Sequence, residues 1–577
     1  MSLDSSTIHA SKWREFGLLA LCYALALLPP FLVELWKGYS GVYYLYDSRN
    51  PYILNTLLIA SLFSLGLAWV TMHAGHLQRF VFALLLLPLT FLGTLALVHV
   101  ALYDAPISVG AVDALLGTDL HEAKEYLSFH WNRGMTLSLA GYGALYIAAV
   151  FWAWRGLSPG RPRAAAHVLA WSALAALALS AYRFPAIAAY NLKSFEQRPL
   201  WSRAAELNRQ LPSIRILHDV GNWLAYRQWL EETQQVRAGH DFGAVLGDAS
   251  RPRTLVLVIG ESLRRDRMSL YGYTRPTTPR LDARRKQILA FDGAISPSNQ
   301  TVPSVTKMLT PATIQEPDRF LTEPSILAAA KKAGYRTYWL SNQGRVGQFD
   351  SLISLIAHDA ETTIFTNTEF YGTVYDEALL RPLEAALSEP YPHKLIVLHT
   401  LGSHQSYRNR YPPEKAVFRA QDYVGEVLDE EQASILAEYD SSVRYTDEVL
   451  DGVLRKLESR PGSMLLYVSD HGERLYEKDV NTCGHGFPEP MRSEFDIPYF
   501  LWCQGECPRA LKRIHARNRG VAFNTENLFH TLANLLALKM AEYDPKSDVL
   551  SPKYRPVWHP QIIDVNRGIH TYASLPE

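Results

Sequence analysis

Four short runs in this sequence carry side chains that ligate metals or move protons. They are Gly260-Glu261-Ser262, His399-Thr400-Leu401-Gly402-Ser403-His404, Ser469-Asp470-His471-Gly472-Glu473 and Cys483-Gly484-His485-Gly486. Carboxylates and imidazoles gathered at one place suit zinc, which takes nitrogen and oxygen ligands in a tetrahedron. Each run alone has a plainer use: Asp-His-Gly can be a turn, and a Glu after a strand can cap a helix. The combination is far more specific than its parts.

The elements that must position these side chains are legible around them. Short apolar or β-branched runs occur at Thr254–Ile259, Thr337–Leu340, Leu395–His399, Met464–Ser469 and Ile497–Trp502. Helical stretches separate several of them, at Pro324–Ala333, Asp376–Leu387 and Gln432–Lys456. Strand-helix alternation predicts an α/β domain with a mainly parallel central sheet covered on both faces. In such folds ligands gather beyond the carboxyl ends of the strands. Three of the four chemical runs begin where a predicted strand ends.

The first part of the chain is of another kind. The chain has 577 residues, 57 basic and 57 acidic, and a net charge of zero. Its mean hydropathy of -0.08 averages two unlike halves. Five long apolar runs occupy Phe16–Trp36, Ile53–Met72, Phe80–Leu102, Met135–Trp154 and Ala164–Ala181. Each approaches the ~20 residues a helix needs to cross a bilayer. No cleavable signal peptide is expected, because the first run is too long and lacks a small-residue cleavage site. Lys12, Arg14, Arg79, Arg155, Arg161 and Arg163 fall on one side of the five crossings, which predicts that side as cytoplasmic. Everything after Tyr182 then lies outside, the periplasm of a Gram-negative cell. The expected organisation is a five-helix transmembrane domain at 1–182, amphipathic bridging helices at 183–240 and a catalytic domain at 241–577. A hydrophobic fraction of 48% excludes global disorder, and balanced charge excludes a general nucleic-acid binder. Four cysteines exclude a disulfide-built scaffold, although Cys503 and Cys507 are spaced for one short bridge in an oxidising compartment.

These residues resemble the phosphoethanolamine transferases, a membrane branch of the alkaline phosphatase and sulfatase superfamily, over nearly the whole chain. The motifs that carry the resemblance are Val258-Ile259-Gly260-Glu261-Ser262, Ser269-Leu270-Tyr271-Gly272-Tyr273 and Thr277-Thr278-Pro279. They are joined by His399 with Gly402-Ser403-His404, by Arg410-Tyr411-Pro412 and by Ser469-Asp470-His471-Gly472-Glu473. The outer loop Leu116–Ala123, with Glu122, is also similar. The resemblance implies a sulfatase-like fold and a threonine nucleophile between the first strand and the following helix, which places it at Thr301. A sulfatase would need Cys or Ser there, with Arg where this chain has Val305. By the same resemblance Glu261, Thr301, Asp470 and His471 hold one zinc tightly. His399, His404 and His485 surround the phosphate or a second metal, and Asn342 lies near the substrate phosphate.

The implied reaction transfers phosphoethanolamine from phosphatidylethanolamine to a cell-envelope glycan or to lipopolysaccharide, on a core sugar or phosphate. It proceeds through a covalent phosphoethanolamine-threonine at the bacterial inner membrane. Ser341-Asn342-Gln343-Gly344 and the lack of cysteines flanking Thr301 resemble the core- and glucan-modifying branches more than the lipid A branch. A lipid A transferase, and a glycerophosphate transferase or phosphatase of the same superfamily, remain the alternatives.

Overall fold

The structure, a computed structural model, describes residues 5–37, 49–103, 133–157, 216, 229, 231–247, 254–343, 350–367, 374–423, 429–477, 482–487 and 489–577. The chain divides into two compact units, Met1–Arg227 and Gln228–Glu577. The expected fifth apolar helix at Ala164–Ala181, the outer loop with Glu122 and most of the 183–240 bridge lie outside the described residues.

In the first unit, four helices cover the first four apolar runs: α1 (Ser5–Lys37), α2 (Arg49–His73), α3 (Gln78–Tyr103) and α4 (Arg133–Gly156). Among the described residues, three helical stretches are long and apolar enough to cross a membrane: Lys12–Val33, Gly75–Val100 and Met135–Gly156. Their outer faces are apolar too: Leu21, Leu84, Phe91, Leu137 and Ile147 are exposed. That suits lipid as the surrounding solvent. Inside, Leu19, Tyr23, Phe82 and Ala149 share one core. The Pro30 ring lacks the N–H that would bond the Ala26 carbonyl one turn back. The Tyr142 hydroxyl of α4 donates to that carbonyl at 3.3 Å. Its ring lies against Gly93, where a Cβ would stand 2.7 Å from a ring carbon. The Arg79 guanidinium donates to the Leu157 carbonyl just past α4 at 2.8 Å, where a cation complements the helix C-terminus.

The second unit is built on a seven-stranded sheet. Its strands are β1 (Thr254–Gly260), β2 (Ile288–Phe291), β3 (Arg336–Ser341), β4 (Thr362–Phe365), β5 (Lys394–His399), β6 (Ser463–Ser469) and β7 (Tyr499–Cys503). The spatial order is β2-β7-β6-β1-β5-β3-β4. The sheet is mixed. Five adjacent strands, from β6 to β4, are parallel, whereas β7 runs against β6 and β2 runs against β7. A parallel partner needs a crossover of a dozen or more residues, usually a helix. In the connection from β6 to β7 the described residues form only a small hairpin and a 3-10 turn, so β7 returns antiparallel.

Strand β1 shows why the sheet is central. Leu255, Leu257 and Ile259 enter one core, and Val256 and Val258 enter the other. The period-two alternation is apolar on both faces, as a strand covered twice requires. On the first face pack α5 (Thr301–Leu309) and α6 (Ile326–Lys332), through Val305, Met308, Ile326 and Ala330. On the second pack α7 (Leu380–Ser388) and α8 (Glu430–Glu458), through Leu383, Leu387, Leu436 and Leu454. A disulfide joins Cys503 at the end of β7 to Cys507.

Candidate active site

Glu261, His399 and Asp470 stand at the carboxyl ends of three adjacent parallel strands, because Ile259 pairs with both His399 and Val468. The loop after β5 is drawn over β1. Ser403 donates its N–H to the Glu261 carbonyl at 2.9 Å. Gly402 has φ 49° and passes so close that a Cβ there would lie 2.7 Å from that carbonyl oxygen. The buried Asp376 carboxylate accepts from the N–H groups of Leu401 and Gly402, both at 2.8 Å, and so fixes the loop.

Thr301 opens helix α5. Its hydroxyl lies 3.2 Å from Glu261 Oε2 and 3.3 Å from His471 Nε2. His471 Nε2 is in turn 3.4 Å from Glu261 Oε1 and 3.3 Å from Asp470 Oδ2. A tetrahedral ion with bonds of about 2.0–2.2 Å holds its ligands about 3.3–3.6 Å apart. Thr301, Glu261 and Asp470 therefore each stand at zinc-coordination spacing from His471 Nε2. Two further details fit a cation. His471 Nδ1 donates to the Gly472 carbonyl at 2.8 Å, which leaves Nε2 as the inward acceptor. Asp470 Oδ1 accepts from the N–H groups of Ser262 and His471, while Oδ2 is buried without a hydrogen-bond partner. Burial, with the Glu261 charge beside it, holds Asp470 well above the usual carboxylate range. Burial also pushes His471 down to about 3. A divalent cation would restore the Asp470 carboxylate to its charged form.

The turn carrying Glu261 is held from several sides. Ser262 has φ 55°, a left-handed conformation uncommon for a side chain other than glycine. Its hydroxyl donates to Glu261 Oε1 at 2.7 Å, and its carbonyl accepts from Tyr439 at 2.8 Å. The loop before Thr301 is braced similarly. Asn299 donates to Glu494 Oε1 at 2.9 Å, and Arg474 forms a buried ion pair with Glu494 at 2.8 Å.

Three more histidines surround this group. His485 and His471 have ring centres 4.2 Å apart, and His404 lies 5.5 Å from His485. Arg410 holds the His404 loop by donating to the carbonyls of His404 and Gln405. Buried His399 has Nδ1 3.3 Å from the Ser341 hydroxyl, and its Nε2 is without a hydrogen-bond partner. Burial pushes it down to about 4, so its imidazole is neutral.

Two residues are placed here that the motifs did not single out by role. Glu473 is buried, accepts from Tyr407 at 2.5 Å and contacts His485 Nδ1 at 2.7 Å. Burial opposes charge on His485, but Glu473 outweighs it and pushes the imidazole up to about 9. His471, Glu473 and His485 together form a second cluster able to hold an ion. Gln343 donates through Nε2 to Glu261 Oε2 at 2.9 Å and to the Thr400 carbonyl at 3.0 Å. Its neighbour Asn342, expected near the substrate phosphate, has its amide taken up elsewhere. Asn342 Nδ2 donates to the Val374 carbonyl and Asp376, both at 2.9 Å, and Oδ1 accepts from Thr366 at 2.7 Å.

Residues 253–538 match the sulfatase family. The chain is 29% identical over 567 residues to the phosphoethanolamine transferase CptA of Salmonella typhimurium, covering 95% of this chain and 94% of that one. The crystal structure of the C-terminal periplasmic domain of EcEptC from Escherichia coli, in complex with Zn, is 31% identical, with a TM-score of 0.52. It covers 56% of this chain and 94% of that one. The integral membrane lipooligosaccharide phosphoethanolamine transferase A of Neisseria meningitidis has the same fold, with a TM-score of 0.53 at 20% identity. It covers 94% of this chain and 99% of that one.

Proposed function

The chain belongs to the phosphoethanolamine transferase family, and from that premise we propose that it moves phosphoethanolamine from phosphatidylethanolamine to a lipopolysaccharide or envelope glycan through Thr301. The observation that carries this reading is the Thr301 hydroxyl at the start of α5, 3.2 Å from Glu261 and 3.3 Å from His471.

The residues that would hold zinc are Glu261, Thr301, Asp470 and His471. When bound, the ion lowers the pKa of the Thr301 hydroxyl and offsets phosphate charge. The remaining steps belong to side chains of this protein. Thr301 Oγ1 attacks the donor phosphorus, the bond to the diacylglycerol oxygen breaks, and diacylglycerol departs with a proton. Phosphoethanolamine stays on Thr301. An acceptor hydroxyl or phosphate then attacks from the vacated side, and the bond to Oγ1 breaks. The helix N-terminus at Thr301 favours the phosphate oxygens. His485, kept charged by Glu473, adds positive charge where the transferred group carries negative.

A core-sugar or glucan acceptor is supported over lipid A by the disulfide pattern: among the described residues the second unit has one disulfide, Cys503–Cys507, far along the chain from Thr301. The catalytic unit on the periplasmic side of a multi-pass inner-membrane protein is supported by the distribution of basic residues and by that disulfide.

Vesicles containing phosphatidylethanolamine labelled in its headgroup test the donor. Wild-type protein with zinc is expected to release diacylglycerol, and Thr301→Ala is expected to release none. Release from phosphatidylglycerol and not from phosphatidylethanolamine would replace this reading with a glycerophosphate transferase.

A further inference from the structure

The most exposed large apolar side chain among the described residues of the second unit is Trp558, at 91%, and the adjacent Val557 is 61% exposed. The loop that carries them is held firmly. Arg517 donates to the Ser551 and Pro552 carbonyls, both at 3.0 Å. Arg555 donates its N–H to the Lys546 carbonyl at 2.9 Å, and Pro560 accepts from the Tyr572 N–H at 2.9 Å. Pro552, Pro556 and Pro560 restrict the backbone further. The ring is therefore presented outward by a fixed turn.

Its surroundings say what it faces. Lys553 and Arg555 are exposed, and among the described residues neither side chain forms an ion pair. No Asp or Glu lies between Val549 and Ile563. A tryptophan beside unpaired cations is the composition of a headgroup-level anchor, because the indole favours the membrane interface and the cations favour anionic lipid. A bilayer is always at hand, since the same chain carries the apolar helices of the first unit.

We propose that the Lys553–His559 loop is an interfacial anchor that seats the catalytic unit on an anionic bilayer surface. Val557 and Trp558 enter the headgroup layer, and Lys553 and Arg555 meet lipid phosphates. The strand that follows, β8 (Gln561–Ile563), reaches the nucleophile loop, where the Ile563 N–H donates to the Pro297 carbonyl at 2.9 Å and Ile563 bridges Ser298. Five residues from Trp558 to Ile563 span at most about 17 Å. Anchoring there holds the Thr301 loop near the plane of a lipid donor. That consequence rests on the proposed donor, whereas the anchoring does not.

The test uses the full chain in nanodiscs of phosphatidylethanolamine and phosphatidylglycerol. A nitroxide is placed by Trp558→Cys, with Cys22→Ser and Cys483→Ser removing the free thiols, and Val245→Cys serves as the control. The label at 558 is expected to be more accessible to oxygen than to a soluble nickel complex, and the label at 245 the reverse. Equal nickel accessibility at both positions overturns the proposal, whatever the donor proves to be. In the otherwise native chain, Lys553→Gln and Arg555→Gln are each expected to raise the apparent KM for bilayer phosphatidylethanolamine roughly fivefold. Their kcat on a water-soluble short-chain donor should be unchanged. If Trp558→Ala changes only the KM for a glycan acceptor, the loop is an acceptor site and the anchor is overturned.

Discussion

At the scale of single residues, adjacent amides divide two tasks. Gln343 binds the Glu261 carboxylate, while Asn342 binds Asp376, the residue that fixes the Leu401-Gly402 turn. Partners behind a metal ligand fix its orientation, and losing one typically weakens metal affinity 10- to 100-fold. Gln343→Ala is therefore expected to weaken zinc binding by roughly that factor, measured by competition with a chelator. Asn342→Ala is expected to lower thermal stability while changing zinc affinity less. The reverse pattern would mean that Asn342 serves the centre. Neither assignment was legible in the sequence. Gln343 follows β3, Glu261 follows β1, and β5 lies between them, so the contact spans the strand order and leaves no trace in chain spacing. Glu261, Asp470 and His471 were legible, because each stands at the end of a strand whose apolar run announces it.

At the scale of elements, helix α5 joins Thr301 to a buried charge. Lys307 is 4% exposed and donates to the Pro303 carbonyl at 3.2 Å. Burial pushes its amine from 10.5 down to about 8. Between about pH 8 and 10.5 the unfolded chain holds a proton that the folded chain has released, so stability rises with pH across that window. Below it both states are protonated, and the buried charge costs up to about 3 kcal/mol. Lys307→Met is expected to remove the rise, seen as the difference between wild-type and variant denaturation curves from pH 7 to 10. A rise of equal size in the variant would show that Lys307 is not its source. Five strands of the sheet were marked by apolar runs, although the last was expected at Ile497–Trp502 and forms at Tyr499–Cys503. The other two, Ile288–Phe291 and Thr362–Phe365, are four-residue edge strands. Runs that short carry no periodicity, and their pairing is imposed by the neighbouring strand.

At the scale of the whole molecule, one chain combines apolar helices with a sulfatase-type catalytic unit. The division was legible because the two halves answer to different solvents. Long uncharged runs suit lipid, whereas alternating strands and helices build a core in water. Composition alone did not single out Thr301, which only the family resemblance placed as the nucleophile. Thr301 lies in a stretch with several hydroxyls, and only the fold brings its oxygen within 3.3 Å of His471. The proposed reaction passes through a covalent intermediate on that oxygen. Intact-protein mass spectrometry of the zinc-loaded chain, after incubation with phosphatidylethanolamine, tests it most directly. One phosphoethanolamine adduct is expected, mapping to Thr301 by peptide fragmentation and absent in Thr301→Ala. An adduct on another residue, or acceptor modification by Thr301→Ala at the wild-type rate, would contradict it.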